Sequence, residues 1–261
     1  MNIQQQKQLE ILLIGEVCQD VYVFGEVSRL SPEAPVPVLK KNDKNFKQGM
    51  SGNVLKNISS ILEDNSKIDF ISNKIEKIKK IRFLDQKSNY QIMRYDIEKE
   101  ITPFKFEDID KQKKYDAIII SDYDKGFLSE KEIEKICKYY NNTPIFVDTK
   151  KSDLSSYQNC ILKINENEYV HAVKKHRTSE IVVTLGGKGC LYQGKIYPTE
   201  KVEVYDVCGA GDVFLSALVA RWLETKDIIS SIKTANKCAA LSVTHLGCYT
   251  IKRKEYENLC V

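Results

Sequence analysis

Apolar residues along this chain fall into two rhythms. Short unbroken runs such as Ile11-Leu12-Leu13-Ile14, which stops at Gly15, and Ala117-Ile118-Ile119-Ile120 have the length and composition of buried strands. Between Gly52 and Glu63, by contrast, Val54, Leu55, Ile58, Ile61 and Leu62 recur at the spacing of one helix face. From about residue 115 the two rhythms alternate. Strands are predicted over 117–120, 145–147, 160–164 and 181–185, and an amphipathic helix over 130–140. Gly186-Gly187 opens a hairpin over 190–197, a strand follows at 202–204, and two long apolar helices run over 209–222 and 228–245. Such alternation predicts an α/β fold, a mostly parallel sheet with helices on both faces. Sheets of this kind bind ligands beyond the carboxyl ends of their strands.

The first hundred residues read differently. Val21-Tyr22-Val23-Phe24 is followed by Ser31-Pro32-Glu33-Ala34-Pro35-Val36-Pro37-Val38. Three prolines so close exclude a helix and a central strand but suit an edge strand or an extended flap. Residues 81–95 return to strand composition with a turn at 85–89. Segments of about 21–40 and 81–95 thus predict a small β lid on a single domain spanning 1–261.

Composition narrows the function classes. The chain of 261 residues is 42% hydrophobic and 29% charged, which suits a globular protein with a real core. Its 40 basic and 36 acidic residues leave a net charge of +4, and no concentrated basic face argues for nucleic acid. The densest basic stretch, Lys74-Ile75-Glu76-Lys77-Ile78-Lys79-Lys80, reads as the solvated face of a short segment. Residues 1–10 are polar and glutamine-rich, with no apolar core of signal-peptide length, and no apolar run reaches membrane-spanning length. A soluble cytoplasmic protein is expected. Eight cysteines form no C-x-x-C pair and the three histidines no H-E-x-x-H, so no protein metal site is framed. Free thiols in a reducing compartment fit best.

The sharpest chemical feature is Asp206-Val207-Cys208-Gly209-Ala210-Gly211-Asp212, at the entry to a long apolar helix. Two glycines let the backbone turn tightly and bring bare N–H groups to a helix start, which is an anion site. A carboxylate at Asp212 beside a bound anion makes sense if it takes a proton from an attacking hydroxyl, the pairing that phosphoryl transfer needs. The plainer alternative is a glycine turn followed by an aspartate that stabilises the helix dipole.

This segment resembles the D-T-G-A-G-D signature of ribokinase-like carbohydrate kinases, with Val207-Cys208 between Asp206 and Gly209. Gly15-Glu16-Val17-Cys18-Gln19-Asp20 is similar to that family's G-D-x-x-x-D, and Gly49-Met50-Ser51-Gly52-Asn53-Val54 to its G-G-A-A-N-V. Ser28-Arg29-Leu30 and the proline run through Val38 resemble the R-I-S-P-E-A-P-V-P-V of bacterial D-glycero-β-D-manno-heptose 7-phosphate kinases. Ser121-Asp122-Tyr123-Asp124-Lys125-Gly126 resembles their S-D-Y-x-K-G, and Asn165-Glu166-Asn167-Glu168 the N-x-x-E at the ATP phosphates and magnesium.

The resemblance implies a ribokinase-like fold and a kinase using ATP and Mg²⁺ to phosphorylate the anomeric hydroxyl of a heptose 7-phosphate. It implies Asp212 as base and Gly209, Ala210 and Gly211 as the anion hole. Asn165, Glu166, Asn167, Glu168, Asp206, Asn236 and Gly247 would serve ATP. Asp20, Arg29, Gly52, Asn53, Asp122 and Lys125 would serve the sugar phosphate, beneath a closing lid through which two copies could pair. Taken singly, Asp20 also reads as a turn residue and Asn53 as a helix-start side chain. Another sugar or nucleoside kinase of the same fold, or an idle sugar- or nucleotide-binding protein, are the competing readings. The stretch from residue 65 to 81 is shorter than in the family, which carries an extra βα unit there.

Overall fold

A computed structural model describes residues 8–88 and 90–260. The glutamine-rich residues 1–7 and Asn89 of the predicted turn lie outside the described residues. The chain divides into two compact units. One comprises the chain up to Glu16, Met50–Asn73 and the chain from Thr102 onward; the other comprises Val17–Gly49 and Lys74–Ile101. The second unit is wider than the predicted lid at both of its segments.

In chain order the elements are β1 (Leu9–Gly15), β2 (Val17–Leu30), β3 (Pro37–Met50), α1 (Ser51–Leu62), β4 (Ser66–Ile71), β5 (Ile78–Asp85), β6 (Gln91–Glu98) and β7 (Ala117–Asp122). There follow α2 (Glu130–Tyr139), β8 (Ile145–Thr149), β9 (Asp153–Leu154), β10 (Cys160–Asn165), α3 (Glu166–His171), β11 (Lys174–Lys175) and β12 (Glu180–Thr184). The last are β13 (Cys190–Tyr192), β14 (Lys195–Tyr197), α4 (Ala210–Thr225), α5 (Ile228–Ser242) and α6 (Arg253–Leu259).

The larger unit is built on an eight-stranded sheet in the order β14-β13-β12-β10-β8-β7-β1-β4. From β12 to β4 every pairing is parallel, and the β13–β14 hairpin adds the antiparallel edge. Ile11 to Ile14 and Ala117 to Ile120 have no exposed surface at all, because helices cover both faces. Ile11, Leu13, Ile119 and Phe146 pack in one cluster with Val213 to Ala220 of α4 and Ile232 and Ala235 of α5. Strand alternation turns Leu12, Ile14, Ile118 and Ile120 to the opposite face. There Cys137 of α2 lies 3.6 Å from Cys160 of β10, sulfur to sulfur. A mostly parallel α/β sheet covered on both sides is therefore what the chain forms.

Two local readings change. The predicted strand at 202–204 is not one: Val202 and Val204 have no strand pairing and are 36% and 57% exposed. Valines satisfy strand composition, but a strand exists only where a partner supplies hydrogen bonds. Conversely, β4 occupies part of the short stretch after α1 and closes the sheet edge against β1, where composition gave no strand.

The smaller unit is a four-stranded sheet in the order β3-β2-β5-β6. Pro37 opens the edge strand β3, a position where a missing N–H costs nothing. The bend before it is held by the Ser31 N–H donating to Val36 O at 2.8 Å. Within this sheet Asp20 of β2 forms an ion pair with Arg82 of β5 at 2.6 Å. Gly49 lies against that pair: a Cβ there would stand 1.9 Å from Asp20 Oδ2, so no larger residue fits. Among the described residues no helix is long and apolar enough to cross a membrane.

Candidate active site

The carboxyl ends of β7, β8, β10 and β12 deliver Tyr123, Asp148, Lys150, Lys163, Asn165 and Thr184 to the wall of one cavity of about 700 Å³. This is where an open parallel sheet places its ligand. The first turn of α4 forms the facing wall with Gly209, Ala210, Gly211 and Asp212. Gly209 takes φ +76°, a conformation that L side chains resist, and no side chain caps the helix. The Ala210 N–H donates to Val207 O at 3.3 Å, while the start of a helix without a side-chain cap favours an anion. The lining also has an apolar part, from Val202, Val204, Val207, Ala239, Ala240 and Val243.

Asp212 is 5% exposed, and both of its carboxylate oxygens accept hydrogen bonds. Asn53 Nδ2, from α1, donates to Oδ2 at 2.8 Å, and the Tyr123 hydroxyl donates to Oδ1 at 2.8 Å. Burial pushes the Asp212 pKa up to about 6; the Asn53 bond opposes this, the Asp148 charge adds to it, and Tyr123 and Lys163 oppose it. A carboxylate in that range holds and releases a proton near neutral pH, as a general base must.

Beneath the α4 turn, Lys163 and Asp148 form a buried ion pair at 2.7 Å. A Cβ on Gly211 would meet Lys163 Nζ at 2.7 Å, so this ammonium is pressed against the turn itself. Asp148 Oδ1 is buried without a hydrogen-bond partner. Lys150, on the same wall, is bonded to Glu168 and stands 5.7 Å over the Tyr123 ring. Opposing charges of Asp148, Glu168 and Asp212 outweigh desolvation and raise its pKa.

Several of the sequence-predicted residues meet here and several do not. Gly209, Ala210, Gly211, Asp212, Asn165 and Asn236 line the cavity, and Asn53 reaches it through its bond to Asp212. Gly52 is buried in the first turn of α1. Asn165 and Glu168 cap α3 reciprocally, at 2.8 Å each way, which occupies one Glu168 oxygen while Lys150 takes the other. Glu166 and Asn167 are exposed on α3. Asp206 accepts from the Cys208 and Gly247 N–H groups, both at 2.9 Å, and so ties the turn before α4 to the turn after α5. Asp122 is buried in its own network with Tyr157 at 2.6 Å, Thr149 and Lys151, while the Lys125 side chain is exposed. Asp20 and Arg29 belong to the smaller unit, where Asp20 is paired with Arg82 and Arg29 is exposed at the end of β2.

Sequence reasoning passed over Glu16, Tyr123, Asp148, Lys150 and Lys163 as site residues. One signal was available: charged residues sit at the carboxyl ends of strands that are otherwise wholly apolar, as in Phe146-Val147-Asp148 and Leu162-Lys163-Ile164. A buried charge needs a partner or a ligand.

Residues 129–255 match the family described as pfkB family carbohydrate kinase, and this span holds the α4 turn, Asp148 and Lys163. Over these residues the chain matches a pfkB-family carbohydrate kinase domain. Around it the likeness is wider. Bifunctional protein HldE of Haemophilus influenzae is 29% identical over 97% of this chain and 63% of its own length. The protein of that name in Campylobacter jejuni is 30% identical over 97% of this chain and 65% of its own. The chain thus spans just under two thirds of the length of the curated relatives it matches. Among solved structures, ribokinase from Thermotoga maritima superposes with a TM-score of 0.69 at 19% identity, covering 96% of this chain and 99% of that one. Phosphofructokinase-2 from Escherichia coli in complex with fructose-6-phosphate gives 0.70 at 13% identity, covering 97% of each. At such identities these two establish the ribokinase-like fold alone.

Proposed function

We propose that the protein is an ATP-dependent kinase acting on a hydroxyl of a sugar phosphate. The observation that carries this is the buried Asp212 carboxylate at the α4 turn, in the wall of a cavity that also has apolar lining. Asp212 takes the proton of the acceptor hydroxyl. The oxygen attacks the terminal phosphorus of ATP, the bond from that phosphorus to the bridging oxygen breaks, and ADP leaves with the electron pair. Backbone N–H groups of Gly209, Ala210 and Gly211 receive the developing charge. The valine and alanine part of the lining holds the nucleobase.

Mg²⁺ is implied by the family, and the donor set suits it. Asp148 offers a buried oxygen with no hydrogen bond, only the Lys150 ammonium 3.9 Å away, and magnesium is commonly held by one or two carboxylates together with substrate phosphates. Glu168 suits it less, since both its oxygens are engaged within the protein. When bound, Mg²⁺ neutralises phosphate charge.

The substrate class we infer is a heptose 7-phosphate, phosphorylated at its anomeric hydroxyl. Arg29 and the proline run from Ser31 to Val38 support this reading, as does the identity to the HldE proteins. By the same resemblance Asp20, Gly52 and Asn53 serve the sugar hydroxyls, and Arg29, with its planar fork, serves the existing phosphate. The edge strands of the four-stranded sheet, with Phe46 and Tyr95 exposed, are the surface for pairing with a second copy.

The test is ATP consumption with heptose 7-phosphate, fructose 6-phosphate and ribose in parallel. Highest turnover on the heptose 7-phosphate, with Arg29→Ala raising its KM far more than that of ATP, supports the assignment. Preference for ribose overturns the substrate, and no turnover on any sugar leaves a binding protein.

A further inference from the structure

Asp212 does not stand alone at the end of its helix. Its two oxygens are fixed by groups from two other elements, and the more informative of these is Tyr123. The Tyr123 hydroxyl donates to Oδ1 at 2.8 Å, across 89 residues of sequence. Tyr123 follows β7 immediately, so its backbone opens the 123–127 loop.

That loop is anchored by a carboxylate with no exposed surface. Glu16, at the end of β1, accepts from the N–H of Tyr123 at 2.8 Å, of Lys125 at 3.1 Å and of Phe127 at 3.3 Å. Glu16 O also receives the Ser51 N–H at 2.9 Å and the Ser51 hydroxyl at 2.6 Å, at the start of α1. One residue thereby fixes the entry to both elements that hold Asp212. On the α1 side, Asn57 Nδ2 donates to Asn53 O and Oδ1, which turns Asn53 Nδ2 toward the carboxylate.

Burial of an acidic group is costly, and Glu16 is held in its buried place by three backbone N–H groups. Such an arrangement buys no apolar contact. What it does is hold a loop whose one side chain at the cavity wall is bonded to the candidate base.

We infer that Tyr123 is the positioning residue for Asp212, and that Glu16 acts through Tyr123 by fixing its backbone. The inference rests on the proposed role of Asp212 as base. With both oxygens tied, the carboxylate is held in one rotamer, and the remaining lone pairs face the cavity where the acceptor hydroxyl arrives. Displacement of a reacting group by about 1 Å can cost roughly 10²-fold in rate. Loss of the hydroxyl should therefore appear in turnover rather than in binding.

Tyr123→Phe keeps the ring and removes the bond. The expected result is a fall in kcat of roughly 10–100-fold, with KM for ATP and for the sugar phosphate unchanged and the thermal transition kept. In an Asp212→Asn background the same change should cost nothing further, because residues that act as a unit are not additive. Glu16→Gln should lower kcat in the same direction. A Tyr123→Phe enzyme with full kcat overturns the inference. So does one that raises KM alone, which makes Tyr123 a substrate contact, and so does a kcat loss that merely follows a lost thermal transition. An inert wild-type protein on every sugar phosphate is a different outcome and removes the kinase reading itself.

Discussion

Lys163 Nζ and Asp148 Oδ2 lie 2.7 Å apart in the core of the larger unit, each side chain 4% exposed. Breaking such a pair by removing one partner leaves an uncompensated buried charge, at a cost of about 3–5 kcal/mol. Lys163→Met should lose about that much in urea denaturation at pH 7. Lys163→Met/Asp148→Asn should recover most of it, since neither charge is then left buried. Equal stability of the single and double variants would show that the pair is not coupled.

Gly211 meets the same ammonium. A Cβ at this position stands 2.7 Å from Lys163 Nζ, the far end of a flexible side chain, and 3.8 Å from Asp148 Oδ2. Gly211→Ala should therefore fold, with the ammonium displaced from the α4 turn. ATP-dependent turnover should fall by roughly 10-fold or more while the thermal transition stays near that of the wild type. Unfolding of this variant would make Gly211 a packing residue instead.

Asp212 sets the pH dependence. Burial raises its folded pKa to about 6, above the ordinary aspartate value near 3.9 of an unfolded chain. Between those two values the folded state binds the extra proton, so this group's contribution to stability is complete below about pH 4 and lost as pH rises through about 6. Activity runs the other way, because the base must be ionised: kcat/KM should climb through about pH 6. Asp212→Asn should drop turnover by roughly 10²–10⁴-fold and flatten both profiles. Thermal melts and initial rates from pH 4 to 8 check the two signs together, and parallel rather than opposed trends would remove Asp212 from the role.

The sequence by itself determined the layers of this protein and the position of its most chemical turn. Runs such as Ile11 to Ile14 are apolar on every residue because both faces of a parallel strand are covered, and that pattern needs no knowledge of the partner strands. The Gly209-Ala210-Gly211-Asp212 turn was legible for a similar reason, since a tight turn, bare N–H groups and the carboxylate are all local. Tertiary structure decided the rest. Val202 and Val204 had strand composition but no partner, while the polar β3 and short β4 became strands because neighbours paired with them. Tyr123 meets Asp212 across 89 residues, and Asp148 meets Lys163 across 15. Those contacts follow from which strands lie side by side in the sheet, and strand order is written in no local stretch of the chain.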